Sequence, residues 1–218
     1  MNIVAIVPIK LNNERCPGKN FRLLRNKPLI NYCLESLIAV EEIDSIYVYC
    51  SDESICKLLP KGVSFLKRPQ HLDLQTSNFT QIFELFYKEV SADIYVYAHA
   101  TAPFVTVETI RNEITAVSGG CYDSAFCAER IQDFFWSDGK ALNFDSSNIP
   151  RSQDLPVFYK ETSGVYVFQK SVFEKYRSRI GMIPFIAEVG RCEAIDINTS
   201  EDFEFAEMML NYIERRDK

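Results

Sequence analysis

Alternating strand-like and helix-like segments predict an α/β fold for this chain: a mostly parallel sheet sandwiched by helices, with a small β-rich arm inserted late in the sequence. Three observations carry that expectation. Short runs rich in Val, Ile and Tyr recur through the first half of the chain, segments with apolar residues at helical spacing lie between them, and beyond Gly119-Gly120 the rhythm changes to short β-like stretches. With 218 residues, 47% of them hydrophobic and 25% charged, the chain carries enough apolar material for one substantial core. We therefore expect a single domain over 1–218, with the arm at about 121–160.

Taken in order, Ile3 to Val7 reads as a buried first strand, since the apolar N-terminus has no basic leader and is too short for a secretion signal. Leu29, Ile30, Cys33, Leu34, Leu37 and Ile38 share one helical face. Strands follow at Ser45 to Cys50 and Val63 to Leu66. Phe79, Ile82, Phe83, Phe86 and Val90 form a second helical face, with Thr76 or Ser77 as its N-cap. After a strand at Asp93 to Tyr97, Val107, Ile110, Ile114 and Val117 give a third, capped by Thr106.

In the arm, β-like stretches surround Ala125 and Phe134-Phe135-Trp136, and Asp138-Gly139 marks a hairpin turn. The Phe134 to Trp136 triplet suits either a local core or an exposed dimer surface. A strand at Gly164 to Phe168, another ending at Asp196, and a closing helix with Phe203, Ala206, Met209, Leu210 and Ile213 on one face complete the layout.

Composition excludes several functional classes. A net charge of −6 with no basic, aromatic-laced stripe argues against nucleic-acid binding. The seven cysteines are scattered and lack a C-x-x-C pair, which argues against a disulfide framework or a zinc site and suits a reducing cytoplasm. No apolar run approaches the roughly 20 residues that span a bilayer.

Ligands of open parallel sheets bind beyond the carboxyl ends of the strands. The loop leaving the first strand, Pro8 to Asn20, places Lys10, Arg15 and Lys19 near a Pro17-Gly18 turn. Converging cations of this kind neutralise a polyphosphate and stabilise charge that builds on a transferring phosphoryl group. The same spacing also suits a solvated surface loop, because it matches neither common glycine-rich phosphate fingerprint.

The segment resembles the first motif of the acylneuraminate cytidylyltransferases, roughly Pro-Ala-Arg-Gly-Gly-Ser-Lys-Arg-x-Pro-x-Lys-Asn, with Pro8, Arg15, Pro17, Lys19 and Asn20 in register. Lys10 stands for the family's first arginine, keeping charge but not the bidentate fork, and Glu14 stands for a lysine. The resemblance extends along most of the chain. Val48 to Asp52 is similar to Val-Ser-Thr-Asp, and Lys67 to Leu72 to Arg-Pro-x-x-Leu; this implies that Asn20, Ser51, Asp52 and Arg68 border the nucleotide, where Ser51 or Asp52 equally suits a helix cap and Arg68 an exposed turn. His99 to Phe104 is similar to Gln-Pro-Thr-Ser-Pro-Leu, implying sugar contacts from His99 and Thr101, with His99 as a ligand contact and not a general base.

Arg151 to Pro156 resembles Arg-Arg-Gln-Asp-x-Pro, and Ser163 to Tyr166 resembles Asn-Gly-Ala-Ile-Tyr with the tyrosine one place early. The implied substrate contacts are Arg151, Gln153 and Tyr166, with Arg151 facing a substrate carboxylate from its own or a neighbouring subunit; a surface salt bridge is the plainer reading of Arg151. Ala194 to Asp202 resembles Ile-Asp-Ile-Asp-x-x-x-Asp, which implies Mg²⁺ on Asp196 and Asn198, the latter replacing an aspartate. Helix capping is the plainer role of this segment, with Asp202 supporting the helix start.

The resemblance implies a nucleotide-diphospho-sugar transferase fold, Rossmann-like, with a dimerisation arm, and a homodimeric enzyme using CTP, Mg²⁺ and an acidic nine- or eight-carbon α-keto acid sugar. Lys10, Arg15, Lys19 and Asp196 would carry the chemistry, in the biosynthesis of sialic-acid-like polysaccharides. Two alternatives stay open: a related nucleotidyltransferase for a non-carboxylate sugar or alcohol phosphate, and a non-catalytic sugar-nucleotide binding module.

Overall fold

The computed structural model describes residues 1–10 and 15–216, so Glu14 lies outside the described residues. Its strands are β1 (Ile3–Ile9), β2 (Leu23–Leu24), β3 (Lys27–Pro28), β4 (Ser45–Cys50), β5 (Val63–Lys67), β6 (Ile94–Ala98), β7 (Ser124–Ile131), β8 (Trp136–Ser137), β9 (Lys140–Ala141), β10 (Phe158–Gln169) and β11 (Pro184–Val189). Its α-helices are α1 (Leu29–Ile38), α2 (Phe79–Glu89), α3 (Val107–Ser118), α4 (Lys170–Tyr176) and α5 (Ser200–Arg216).

Seven strands form one sheet in the order β11-β7-β10-β6-β1-β4-β5. All pairings are parallel except those of β10, which runs against both β6 and β7. The mostly parallel α/β expectation therefore holds. From β1 the chain steps outward to β4 and β5, then returns to place β6 on the other side of β1. The carboxyl ends of β1 and β6 thus lie side by side, the edge at which open α/β sheets bind their ligands.

Both faces of the sheet are covered, so β1 is apolar at nearly every position, yet its two faces meet different partners. Ile3, Ala5, Val7 and Ile9 join an aliphatic layer with Ile30, Leu34, Leu37, Ile110, Ile114 and Val117. Val4 and Ile6 join an aromatic layer with Tyr49, Phe83, Phe86, Tyr95, Tyr97, Tyr166, Phe168 and Phe173. Phe83 is its hub, with edge contacts at 4.7 Å to Phe173 and 4.9 Å to Tyr95. A third cluster, made of Cys16, Leu24, Leu29, Ile197, Phe203 and Ala206, seats α5 against the loop that follows β1.

Several expected boundaries change. The cap of α2 is Asn78 in place of Thr76 or Ser77: its side chain accepts from Gln81 N at 3.1 Å while Gln81 Oε1 accepts from Asn78 N at 3.0 Å. That reciprocal box needs a Gln or Glu three residues after the cap, which only Asn78 has. Thr106 caps α3 as expected, accepting from Thr109 N at 3.1 Å. Ile38 is exposed and leaves the apolar face of α1.

The last strand ends at Val189 and not at Asp196, because Gly190 opens a turn closed by Ala194 N to Gly190 O at 3.0 Å. The expected arm also narrows. Ala125 and Cys127 point into the core beside α3, so β7 is a central strand, and β10 returns to pair with it. Outside the sheet lie residues 132–157, carrying the β8–β9 hairpin with Asp138 (φ 49°) and Gly139 (φ 74°) at its turn. Phe144 packs edge-on against Phe134 at 4.9 Å and Trp136 at 5.4 Å, a small local core that still leaves Trp136 57% exposed.

Candidate active site

The crevice is built first by the β1 loop. Pro17 and Gly18 (φ 66°) form a tight turn in which Lys19 N donates to Cys16 O at 3.3 Å. Glycine is needed at that left-handed position. The turn aims Lys19 inward, where it is only 8% exposed and its Nζ donates to Ile197 O at 2.6 Å. Burial lowers the Lys19 pKa; the Asp196 carboxylate opposes the shift and the Arg15 cation adds to it. Asn20, also buried, donates from Nδ2 to Lys10 O at 3.1 Å, and its Oδ1 has no hydrogen-bond partner.

The second component is the extended segment before α5. Ile197 N donates to Thr101 O at 2.8 Å, pinning it beside the loop that leaves β6. Asp202 Oδ2 accepts from Asn198 N at 2.9 Å and Thr199 N at 2.7 Å, fixing the start of α5. Asp196 Oδ2 accepts from Asn198 Nδ2 at 2.7 Å, and Asn198 Oδ1 accepts from Arg15 Nη2 at 3.1 Å. The two neighbours settle the orientation of the Asn198 amide, since a guanidinium only donates and a carboxylate only accepts. Asp196 Oδ1 is buried with no partner. Asp196 lines a cavity of about 280 Å³ together with Lys10, Lys19, Asn20, His99, Thr101, Ser163 and Asn198, among others.

A cleft of about 340 Å³ shares Lys10, Lys19, His99 and Asn198 with that cavity and adds Arg15, Arg68, Gln75, Ser77 and Tyr97. Arg68, 2% exposed, also borders an outer depression of about 940 Å³ together with Ser51 and Asp52. It is ion-paired to Asp73, which also accepts from Ser51 Oγ at 2.5 Å. Cations thus crowd this crevice although the chain as a whole is acidic, the arrangement that concentrates a polyanionic ligand.

A family model described as cytidylyltransferase matches residues 4–216. The chain belongs to the cytidylyltransferase family. It is 22% identical over 184 residues to the N-acylneuraminate cytidylyltransferase of Oncorhynchus mykiss, covering 80% of this chain and 43% of that one, so it spans less than half of that relative's length. It is 26% identical over 251 residues to the 3-deoxy-manno-octulosonate cytidylyltransferase of Acaryochloris marina, covering 96% and 98% of the two chains. A CMP:2-keto-3-deoxy-manno-octonic acid synthetase solved in complex with CTP shares the fold, with a TM-score of 0.72 at 16% identity over 97% of this chain and 99% of that one.

In this cytidylyltransferase-family chain the sequence-derived candidates separate into three groups. Lys10, Arg15, Lys19, Asn20, Arg68, His99, Thr101, Asp196 and Asn198 converge on the two connected cavities. Ser51 and Asp52 border only the outer depression, and Asp52 also caps a short 3-10 helix, Glu53–Leu58, by accepting from Ser54 N. Arg151, Gln153 and Tyr166 line neither cavity. Arg151 is exposed and paired to Asp154 at 2.8 Å, the surface salt bridge already weighed for it. Gln153 is exposed beside it, its carbonyl accepting from Gln132 Nε2 at 2.9 Å. Strand alternation turns Tyr166 into the aromatic layer, where its hydroxyl donates to Glu161 Oε1 at 2.5 Å.

Asn198, an expected metal ligand, accepts from Arg15 at its carbonyl oxygen in this structure. Sequence reasoning missed Arg179, whose guanidinium lies 3.6 Å above the Tyr166 ring with Nη1 3.4 Å from His99 Nε2. No local motif marks it. It comes from the loop after α4 and reaches His99 only because the sheet brings β10 beside β6.

Proposed function

We propose that this chain is a cytidylyltransferase that couples CTP to an acidic α-keto acid sugar, giving a CMP-sugar and pyrophosphate. The observation that carries the reading is a crevice in which Lys10 and Lys19 line one cavity with Asp196, whose buried Oδ1 is unpartnered, and line the adjoining cleft with Arg15 and Arg68. In the reaction, an acceptor hydroxyl oxygen forms a bond to the α-phosphorus of CTP, the bond from that phosphorus to the α,β-bridging oxygen breaks, pyrophosphate departs, and the hydroxyl proton is lost to solvent. Lys10, Arg15 and Lys19 hold the phosphates in line and neutralise the departing charge. Lys19 acts from a dehydrated position, where its charge is felt most strongly. Arg15 is held by Asn198, so the two parts of the chain are locked together on one face of the ligand.

Mg²⁺ would be held here by Asp196, whose Oδ1 has no hydrogen-bond partner. No cluster of three His, Cys, Asp or Glu side chains among the described residues is placed to hold a metal. That suits Mg²⁺, which keeps waters and takes phosphate oxygens beside one or two carboxylates. When bound it supplies charge neutralisation on the phosphates. We further propose a homodimer formed through the arm, supported by the exposed Trp136, Leu142, Ile149 and Phe158.

The placement of Arg151 outside the cleft favours a second reading, a cytidylyltransferase for a non-carboxylate acceptor. Pyrophosphate release from CTP distinguishes the two when measured with N-acetylneuraminate, legionaminate, pseudaminate, 3-deoxy-manno-octulosonate and a neutral sugar alcohol phosphate, with ATP, GTP and UTP as controls. We expect turnover with CTP and one acidic sugar. Turnover only with the alcohol phosphate selects the second reading, and CTP binding without release from any acceptor leaves a binding module.

A further inference from the structure

We propose that Arg179 is a positioning residue that fixes the tautomer of His99, holding the proton on Nδ1 so that the imidazole offers the acceptor substrate a hydrogen-bond donor and no base. The inference deepens the transferase reading and, for the substrate contact alone, rests on it.

The assignment follows from donor chemistry. Arg179 Nη1 lies 3.4 Å from His99 Nε2. A guanidinium has no acceptor, so Nε2 must supply the lone pair, and a neutral imidazole with an unprotonated Nε2 carries its hydrogen on Nδ1. Protonating both nitrogens would set N–H against N–H and one cation against another. The surroundings act in the same sense. Burial and the Arg179 cation hold the His99 pKa down to about 4, Lys19 adds to this, and only the Asp196 carboxylate opposes it. Among the described residues none accepts a hydrogen bond from Nδ1, and His99 lines both cavities of the crevice.

Both partners are held in place. His99 N donates to Gly164 O at 3.1 Å, and its ring sits 5.3 Å from that of Tyr97 and 6.0 Å from that of Tyr166. Arg179 stacks on Tyr166, with Nη2 3.4 Å from Glu161 Oε1. Its loop is anchored upstream at Arg177, a left-handed residue (φ 54°) whose Nη2 pairs with Glu84 at 2.7 Å and whose carbonyl accepts from Thr80 Oγ1 at 3.0 Å. Downstream, Gly181 N donates to Ser124 Oγ at 2.8 Å, and the Asp123 carboxylate accepts from Met182 N at 2.7 Å and Ile183 N at 3.2 Å. A Cβ at Gly181 would fall 2.3 Å from Asp123, so this clamp requires glycine. A cation delivered so specifically to one imidazole does more than fill space. It selects a ligand that presents an oxygen lone pair to Nδ1–H, such as a carboxylate or carbonyl oxygen, and it bars His99 from taking the proton of the attacking hydroxyl.

The chain has only two histidines, so the imidazole signals of ¹⁵N-labelled protein separate readily once a His71→Gln variant assigns them. We expect His99 as the Nδ1–H tautomer, unchanged across about pH 5.5 to 8. In Arg179→Gln, whose amide both donates and accepts, we expect mixed tautomers and a titration moving toward the ordinary value of about 6.5. Arg179→Lys, still a cationic donor, should restore the wild-type pattern. With the acidic sugar that supports turnover, Arg179→Gln should raise the acceptor KM about tenfold and make it pH-dependent, with the KM for CTP unchanged. A wild-type proton on Nε2, or an Arg179→Gln spectrum identical to wild type, overturns the proposal. The spectra need no substrate, so they stand even if the transferase reading fails. Conversely, a correct tautomer whose Nδ1 signal does not move when a turned-over sugar binds overturns the substrate contact.

Discussion

The phosphate corner and the acceptor wall of the crevice are built on opposite electrostatic plans. At the corner, Lys19 and Asp196 bring charge into a dehydrated setting, and both Asp196 Oδ1 and Asn20 Oδ1 are left without partners. At the wall, His99 is uncharged, the Tyr166 hydroxyl donates a hydrogen bond to Glu161, and Arg179 spreads its charge over an aromatic face. The corner is incomplete until ligand charge arrives, whereas the wall lacks only an acceptor for His99 Nδ1 and acts by shape and donor placement. Buried unpaired charge is destabilising; here it sits where a polyphosphate would relieve it, as expected when binding residues are selected against stability.

The largest effect that would break this contrast is at Asp196. Asp196→Asn should lower turnover by roughly 10²–10³-fold with an unchanged circular dichroism spectrum. A folded variant with wild-type turnover would mean that the corner is not organised around that acid.

Lys19→Met sharpens the contrast by setting activity against stability. Pyrophosphate release should fall steeply while Tm rises by about 2–4 °C at neutral pH. The sign follows from linkage: the folded pKa lies below the unfolded value of 10.5, so the cost of charged Lys19 is present at neutral pH and fades as pH rises toward that value. The gain in Tm should therefore shrink in alkaline buffer, and a fall in Tm at neutral pH would show that Lys19 is a stabilising strut.

The smallest effect on turnover is expected behind the acceptor wall. Glu113 is fully buried and accepts from Cys127 Sγ at 3.0 Å; burial pushes its pKa up to about 8, from 4.5 when unperturbed. Between those values the native state holds a proton that the unfolded chain has lost, so this group's contribution to stability falls with rising pH, by up to about 1.4 kcal/mol per pH unit. Glu113→Gln should flatten that slope in urea unfolding and leave pyrophosphate release nearly untouched. An unchanged slope would mean that Glu113 is already ionised in the native state.

The parts of the molecule differ in how far they could be read beforehand. The corner was legible because its residues fall in two short runs, Lys10 to Asn20 and Asp196 to Asp202, which long-range contacts such as Arg15 to Asn198 and Lys19 to Ile197 then join. The parallel strands were legible too, since β4 matches its expected span to the residue. The wall was not. Tyr166 looked substrate-facing because spacing along a motif does not fix which side of an irregular strand a residue takes; β10 shifts register between Glu161 and Tyr166. Arg179 had no signal, because its position depends on a left-handed Arg177 and on Asp123 far upstream. The arm was drawn too wide for a related reason: short β-like runs look alike whether they pair with the central sheet or with each other, and long-range pairing alone decided that β7 belongs to the core.

Trp136, the chain's one tryptophan, sits in the β8–β9 hairpin against Phe144 and away from both core layers. Its emission is thus a local optical probe. Selective excitation of this indole would report the surroundings of residues 132–157, while ellipticity reports the sheet. The same separation makes the indole an intrinsic reporter for anything that covers the arm, read without a label and without interference from ligands entering the crevice.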